Sequence, residues 1–317
     1  MEKILLCRTD GIGDLLLVTP LIKEVKRNNK FVAVLASYNS KDVLVNNPDV
    51  DKIFVNPSKN LRKEINSYGF DKAYIIYPRF SVALLIASAR IPERIGTAYR
   101  WYSFLFNKKI RIHRKYNEMH EADYNMKLAE DITGAKKAER LYFYLKDEEL
   151  KFAKNYLEKK GIKDNFFIVY PCGAGSAINL PLVKYAELID MIHLTLPDIN
   201  ILIASGKNEQ NKVNEIFERI KNRKNIYVMD ENLSIRQLAA IINFAKIFIS
   251  GSTGPMHIAA ALNIKTLTFF PDKGVYPVRW RPIGNISEII IFETNKVNFI
   301  DFDNTINKLK ILLNREK

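Results

Sequence analysis

At 317 residues the chain has room for two α/β domains, each large enough to bury its own core. A composition of 47% hydrophobic and 26% charged residues is that of a soluble globular protein. No apolar run reaches the ~18 residues of a bilayer span, and Arg8 and Asp10 interrupt the apolar start, so no secretory leader is expected. The formal net charge of +14 calls for an anionic partner. Cys7 and Cys172, without an export signal, are expected to be free thiols in a reducing cytoplasm, and no Cys/His spacing fits a structural zinc.

In chain order, Lys3 to Arg8 reads as a first strand and Thr9 to Asp14 as its loop; Leu15, Leu16, Val18, Leu21, Ile22 and Val25 then recur at helical spacing. Phe31 to Ser37, Lys52 to Asn56 and Ala73 to Tyr77 read as further strands. Arg90 to Lys115 breaks the rhythm and is expected to be loop with a short helix. It carries Arg90, Arg94, Arg100, Lys108, Lys109, Arg111, Arg114 and Lys115 against Glu93, with Trp101, Tyr102, Phe104 and Phe106 among them. Basic residues interleaved with aromatics suit an anionic amphiphile, a membrane surface or nucleic acid. No nucleic-acid motif accompanies them, so nucleic acid ranks last. A helix is expected from about Glu118 to Ile132, and a hinge at Lys159 to Asn165.

Beyond the hinge the alternation resumes, with strands at Phe166–Tyr170, Ile199–Ala204, Ile226–Met229, Ile247–Ile249, Thr266–Phe270 and Glu288–Phe292, and a closing amphipathic helix from Phe302 to Arg315. Alternating strands and helices predict βαβ units and mostly parallel sheets. The expected division is therefore 1–160, 161–300 and a final helix over 301–317: two α/β halves meeting at a cleft, with ligands beyond the carboxyl ends of the strands.

Glycine-rich loops fall at those ends. Arg8-Thr-Asp-Gly-Ile-Gly-Asp14 comes after the first strand. A dinucleotide fingerprint is disfavoured, because Leu16 stands where a third small residue belongs and the second strand ends Ala36-Ser37 without an acid. Asp14 reads either as a first-turn carboxylate satisfying free amides or as a general base for an attacking hydroxyl, and Asp10 is a second candidate that spacing does not separate from it. In the second half, Tyr170-Pro-Cys-Gly-Ala-Gly-Ser176, Gly206-Lys-Asn-Glu209 and Gly251-Ser-Thr-Gly-Pro255 close three strands. Taken singly each is an ordinary βα turn. Together they could cradle a nucleotide diphosphate, with Pro255 opening a helix whose free amides favour an anion.

The run Ile-Leu-Leu-Cys-Arg-Thr-Asp-Gly-Ile-Gly-Asp-Leu-Leu-Leu-Val-Thr-Pro, ending at Pro20, resembles the start of bacterial glycosyltransferase family 9, the ADP-heptose:lipopolysaccharide heptosyltransferases. Thr253-Gly-Pro-Met-His-Ile-Ala-Ala-Ala-Leu262, Phe269-Phe-Pro-Asp272 and Arg279-Trp-Arg-Pro-Ile-Gly284 resemble later segments of that family, in the right order. The resemblance implies a GT-B fold of two Rossmann-like domains, acceptor on the first and sugar nucleotide on the second, with the last helix crossing back to the first. It implies inverting, metal-independent transfer of heptose from ADP-heptose to a lipopolysaccharide core, without a cofactor. Asp14 matches the general base, with Gly11 and Gly13 framing it; Asp10, Arg94 and Arg100 are assigned to the acceptor side. Gly173, Ala174, Gly175, Ser176, Lys207, Glu209, Ser252, Thr253, Gly254 and His257 are assigned to the donor side. The partners implied are a nucleotide sugar, a phosphorylated lipid A–Kdo or core oligosaccharide acceptor and the inner leaflet of the cytoplasmic membrane, with the enzyme a cytoplasmic monomer. Two positions depart from the family: Ile178 stands where a cation is common, and Ser252 where an Asp is common. They leave open a related transferase using another nucleotide sugar, or a non-catalytic sugar-nucleotide-binding protein.

Overall fold

The computed structural model describes the chain except residues 135, 163, 174–178, 207, 230–231, 274–276, 297–299 and 317. It divides into two compact units, Met1–Tyr144 and Leu145–Lys317. The first unit holds a parallel six-stranded sheet of β1 (Lys3–Cys7), β2 (Phe31–Ser37), β3 (Lys52–Asn56), β4 (Lys72–Ile75), β5 (Glu93–Thr97) and β6 (Lys108–Ile110), in the order β3-β2-β1-β4-β5-β6. The second holds β7 (Phe166–Tyr170), β8 (Asn200–Ile203), β9 (Ile226–Val228), β10 (Ile247–Gly251), β11 (Lys265–Pro271) and β12 (Ser287–Phe292), in the order β12-β11-β10-β7-β8-β9. Read from its own first strand, each sheet has the order of a doubly wound Rossmann fold. Each therefore reverses direction at one switch point: β1/β4 in the first unit and β7/β10 in the second.

The central strands are continuous apolar runs because helices cover both faces of a parallel sheet. Ile4, Leu5, Leu6 and Cys7 are fully buried, and β7, β10 and β11 are buried along their whole length. On one face of the first sheet, Leu5, Cys7, Leu35 and Phe54 pack with Ile65, Phe70 and Ile86.

Four expectations are corrected. The basic segment is not loop with a short helix: it contains β5 and β6, with single turns at Ser103–Leu105 and Arg114–Tyr116. β6 is the edge strand of the sheet and β5 the next one in, and charged side chains are tolerated at an edge, where an apolar signal is not required. The helix expected from Glu118 breaks at Ala129 into Glu121–Leu128 and Glu130–Thr133, and the Thr133 hydroxyl donates to Met126 O at 3.0 Å across the break. The division falls between Tyr144 and Leu145 and not at residue 160. Helix Asp147–Lys159 belongs to the second unit because it packs on Ile235–Ile242, where Arg236 clasps Glu149 at 2.6 and 2.8 Å. The closing helix Phe302–Asn314, expected to return to the first unit, packs on β11, β12 and helix Leu182–Thr195 of its own unit. Among the described residues, no helix is long and apolar enough to cross a membrane.

Candidate active site

At the switch point of the first unit, the backbone N–H of Arg8 extends the ladder to Leu35 O at 3.0 Å, and its side chain turns into a buried ion network. The guanidinium, 2% exposed, donates to Asp10 Oδ1 at 2.8 Å, Asp14 Oδ1 at 2.7 Å, Glu121 Oε1 at 2.8 Å and Asn125 Oδ1 at 3.3 Å. Arg114 closes the far side, its Nε 3.3 Å from Glu121 Oε1 and its other nitrogens donating to Ile76 O and Asn125 Oδ1. Asn125 in turn donates to Leu17 O at 2.8 Å. Burying Arg8 or Glu121 alone would cost several kcal/mol; together, with opposite charges paired and Asn125 bridging Arg8 and Arg114, they form a support for the loop.

That support separates the two aspartates. Asp14 lies in the first turn of helix Ile12–Leu16, is the more exposed of the two (29% against 13%), and has only Oδ1 engaged by Arg8. Its Oδ2 sits over Gly11, where a Cβ would come within 3.1 Å, so glycine there keeps the carboxylate accessible. Asp10 is held lower in the loop, beside the Ser37 hydroxyl that donates to its carbonyl. Burial, opposed by Arg8 and assisted by the charge of Asp14, pushes the Asp10 carboxyl up to about 6. Gly13 sits inside the same helix turn. Arg94 is part of β5, and its guanidinium is spent on Leu105 O and Ile91 O; Arg100 is exposed on the turn after β5. The structure thus brings together Asp10, Gly11, Gly13 and Asp14, while Arg94 and Arg100 lie farther along the sheet edge.

The second unit places small residues at its switch point. Thr253 caps helix Gly254–Ala261, its Oγ1 accepting from Met256 N at 3.3 Å, with Pro255 in the first turn. The amides that begin this helix have no intrahelical partner. His257 is buried at 4% exposure in the same helix, and Ser252 is partly exposed before it. Gly251 and Gly173 approach from β10 and β7; a Cβ on either would strike Asn179. At the end of β8, Gly206 is packed under Glu209 Oε2 and the Tyr170 hydroxyl, and Glu209 Oε1 holds Lys212 at 2.8 Å. Burial raises Tyr170 out of the ordinary phenol range and pushes the Cys172 thiol up to about 12, which makes that cysteine inert near neutral pH. Ala174, Gly175, Ser176, Ile178 and Lys207 lie outside the described residues.

Sequence patterns miss Arg8, Glu121, Asn125, Arg114 and Asn179 as site residues. Arg8 has a visible signal, a cation directly after the apolar run of Ile4, Leu5, Leu6 and Cys7. Glu121 and Asn125 lie more than a hundred residues away and have none.

Two doubly wound units with polar loops at their switch points define an α/β protein of the Rossmann type. Residues 59–308 match glycosyltransferase family 9 (heptosyltransferase), and the chain belongs to that family. A Haemophilus influenzae protein, named only as a glycosyltransferase, is 28% identical over 99% of this chain and 97% of its own. The Campylobacter jejuni lipooligosaccharide heptosyltransferase 2 is 23% identical over 85% of this chain and 82% of its own. The solved structure of Escherichia coli ADP-heptose lipopolysaccharide heptosyltransferase II aligns with a TM-score of 0.83 at 18% identity, covering 99% of this chain and 98% of that one. The fold is accordingly GT-B, and the protein is a glycosyltransferase.

Proposed function

We propose that this enzyme transfers a heptose from ADP-heptose to the core of a lipopolysaccharide or lipooligosaccharide, with inversion and without a metal ion, at the cytoplasmic face of the membrane. The observation that supports it is Asp14: an accessible carboxylate in a helix first turn, fixed through one oxygen by a buried arginine. Asp14 takes the proton of the acceptor hydroxyl as that oxygen attacks the anomeric carbon from the face opposite the leaving group. The anomeric carbon–oxygen bond to the diphosphate breaks, and ADP leaves with the electron pair. The Thr253-capped start of helix Gly254–Ala261 offers backbone amides to the growing charge, and Glu209 is the residue assigned to the ribose. Donor and acceptor are those for which the heptosyltransferase relatives are named. Ser252, in place of an acid, favours a second reading in which another nucleotide sugar is the donor.

The test is transfer from ADP-heptose to heptose-deficient lipooligosaccharide by wild type and Asp14→Asn. The variant should lose ~10²–10⁴-fold in kcat with the fold intact. Equal rates would remove Asp14 as base, and binding without turnover on any acceptor would leave a binding protein. A thermal-shift screen of ADP-, UDP- and GDP-sugars decides between the donor readings.

A further inference from the structure

The charge excess of the first unit gathers at one sheet edge. Between Arg79 and Tyr116 there are nine Lys and Arg and one acid, Glu93, which Lys108 engages at 3.3 Å. Arg79, Arg100, Lys109, Arg111 and Lys115 are exposed, and none makes an ion pair with a described residue. Cations that stabilise the fold have partners, as Arg8 and Arg114 do. These five are directed to solvent.

The same edge exposes large apolar side chains. Phe80 is 41%, Leu84 48%, Trp101 73% and Phe104 67% exposed. They form a ridge. Phe80 and Trp101 pack with ring centroids 4.8 Å apart, both against Tyr102, which is buried and fixed by its hydroxyl to Pro78 O. Leu84 lies one turn after Phe80 on helix Phe80–Ser88, and that helix packs on the Ser103–Leu105 turn that presents Phe104. Single exposed apolar residues need no explanation, but a contiguous ridge flanked by Arg79 and Arg100 does.

We propose that the Phe80–Leu84–Trp101–Phe104 ridge inserts into the headgroup boundary of an anionic bilayer, with the five exposed cations binding lipid phosphates around it. Tryptophan, phenylalanine and leucine on one side and unpaired Lys/Arg beside them are the two components of interfacial membrane binding. Nucleic acid is disfavoured as the occupant: Leu84 offers no stacking face, and Phe80 and Trp101 cover one another. The ridge is linked to the candidate base through Tyr77 and Arg8. The Tyr77 ring is in reach of both the Arg8 guanidinium, 5.6 Å from its centroid, and that of Arg79, at 5.1 Å; Arg8 holds Asp14, and Arg79 directly precedes Phe80. Docking there sets Asp14 at the height of a lipid-linked acceptor; this last step rests on the transferase reading, whereas docking itself does not.

The experiment is co-sedimentation of the full chain with vesicles of phosphatidylcholine alone or with ~30% phosphatidylglycerol, without donor or acceptor, at two salt concentrations. Binding should need the anionic lipid, and Trp101 emission should shift to the blue and be quenched by brominated acyl chains. Trp101→Phe should abolish that shift, leaving only the Trp280 signal. Phe80→Ser/Trp101→Ser/Phe104→Ser should weaken binding about tenfold or more, and Lys109→Gln/Arg111→Gln/Lys115→Gln should weaken it about as much and flatten its salt dependence. Equal binding to both vesicle types, an unshifted emission on bound vesicles, or undiminished binding of the serine variant with its thermal unfolding unchanged would each overturn the proposal. So would preferential binding to RNA at ~150 mM salt. An inactive enzyme that docks, or an active one that does not, separates failure of the transferase reading from failure of this one.

Discussion

The two switch points share a strand order and differ in how they handle charge. In the first unit, Arg8 ends the central strand and gathers Asp10, Asp14 and Glu121 into a network of fixed ions. In the second, Gly173, Gly251, Ser252, Thr253 and Gly254 stand at the corresponding strand ends, uncharged, with Thr253 capping the helix that follows β10. One scaffold therefore supports a carboxylate that can accept a proton at one site and neutral donors suited to an anion at the other. The difference lies in the loops after β1, β7 and β10, because each sheet by itself has the same strand order and so the same kind of switch point.

The largest effect expected from this contrast is that of Arg8→Met. It strands Glu121, which is 1% exposed, without its nearest charge, and should cost ~3–5 kcal/mol in urea unfolding of the first unit. A loss below ~1 kcal/mol would mean that Asp10, Asp14 and Glu121 are not organised by Arg8. In the neutral loops the corresponding change is steric. Gly251→Ala puts a Cβ 3.0 Å from Asn179 Oδ1, a side-chain end that can move, so the fold should survive while nucleotide affinity falls about tenfold by calorimetry. Gly96→Ala is the control away from both loops: its Cβ would lie 2.5 Å from the Phe106 ring, and it should cost ~1–3 kcal/mol of stability with nucleotide affinity unchanged.

Asp10 gives the pH signature of the charged loop. Its folded-state carboxyl, at about 6, lies above the ordinary 3.8, so between those values the folded chain holds a proton that the unfolded chain has released. Stability from this group therefore falls as pH rises through that window, and the full penalty is present at pH 8. Asp10→Asn should be more stable than wild type at pH 8, on the order of 1–2 kcal/mol, with the advantage shrinking toward pH 4. An advantage that grew on acidification would reverse the assignment. The smallest effect is expected of Thr253→Ala, about 1 kcal/mol from the lost cap, with Thr253→Ser restoring most of it; thermal unfolding of the second unit reads both.

Local pattern was enough wherever structure depends on a short apolar run. Phe31–Ser37, Lys52–Asn56 and Phe166–Tyr170 are strands with the bounds that their β-branched and aromatic residues predict. It failed at β5 and β6, whose lysines and arginines mask strand pairing that only a neighbouring edge can reveal. It also failed at helix Asp147–Lys159, whose allegiance is set by contact with Ile235–Ile242 and not by its own residues.

The sequence by itself determined the alternation, the paired glycine loops and the family, because these are written in residues close together along the chain. It singled out Asp14 and Asp10, which spacing alone did not separate, and the family resemblance favoured Asp14 as the base. Only the tertiary structure showed the physical difference between them, since Arg8 meets Glu121 and Asn125 more than a hundred residues farther along the chain, and burial in that network sets which carboxylate is exposed. The exposed ridge at Phe80 and Trp101 was decided in the same way: an aromatic residue in sequence is core or surface only once its neighbours have taken their places.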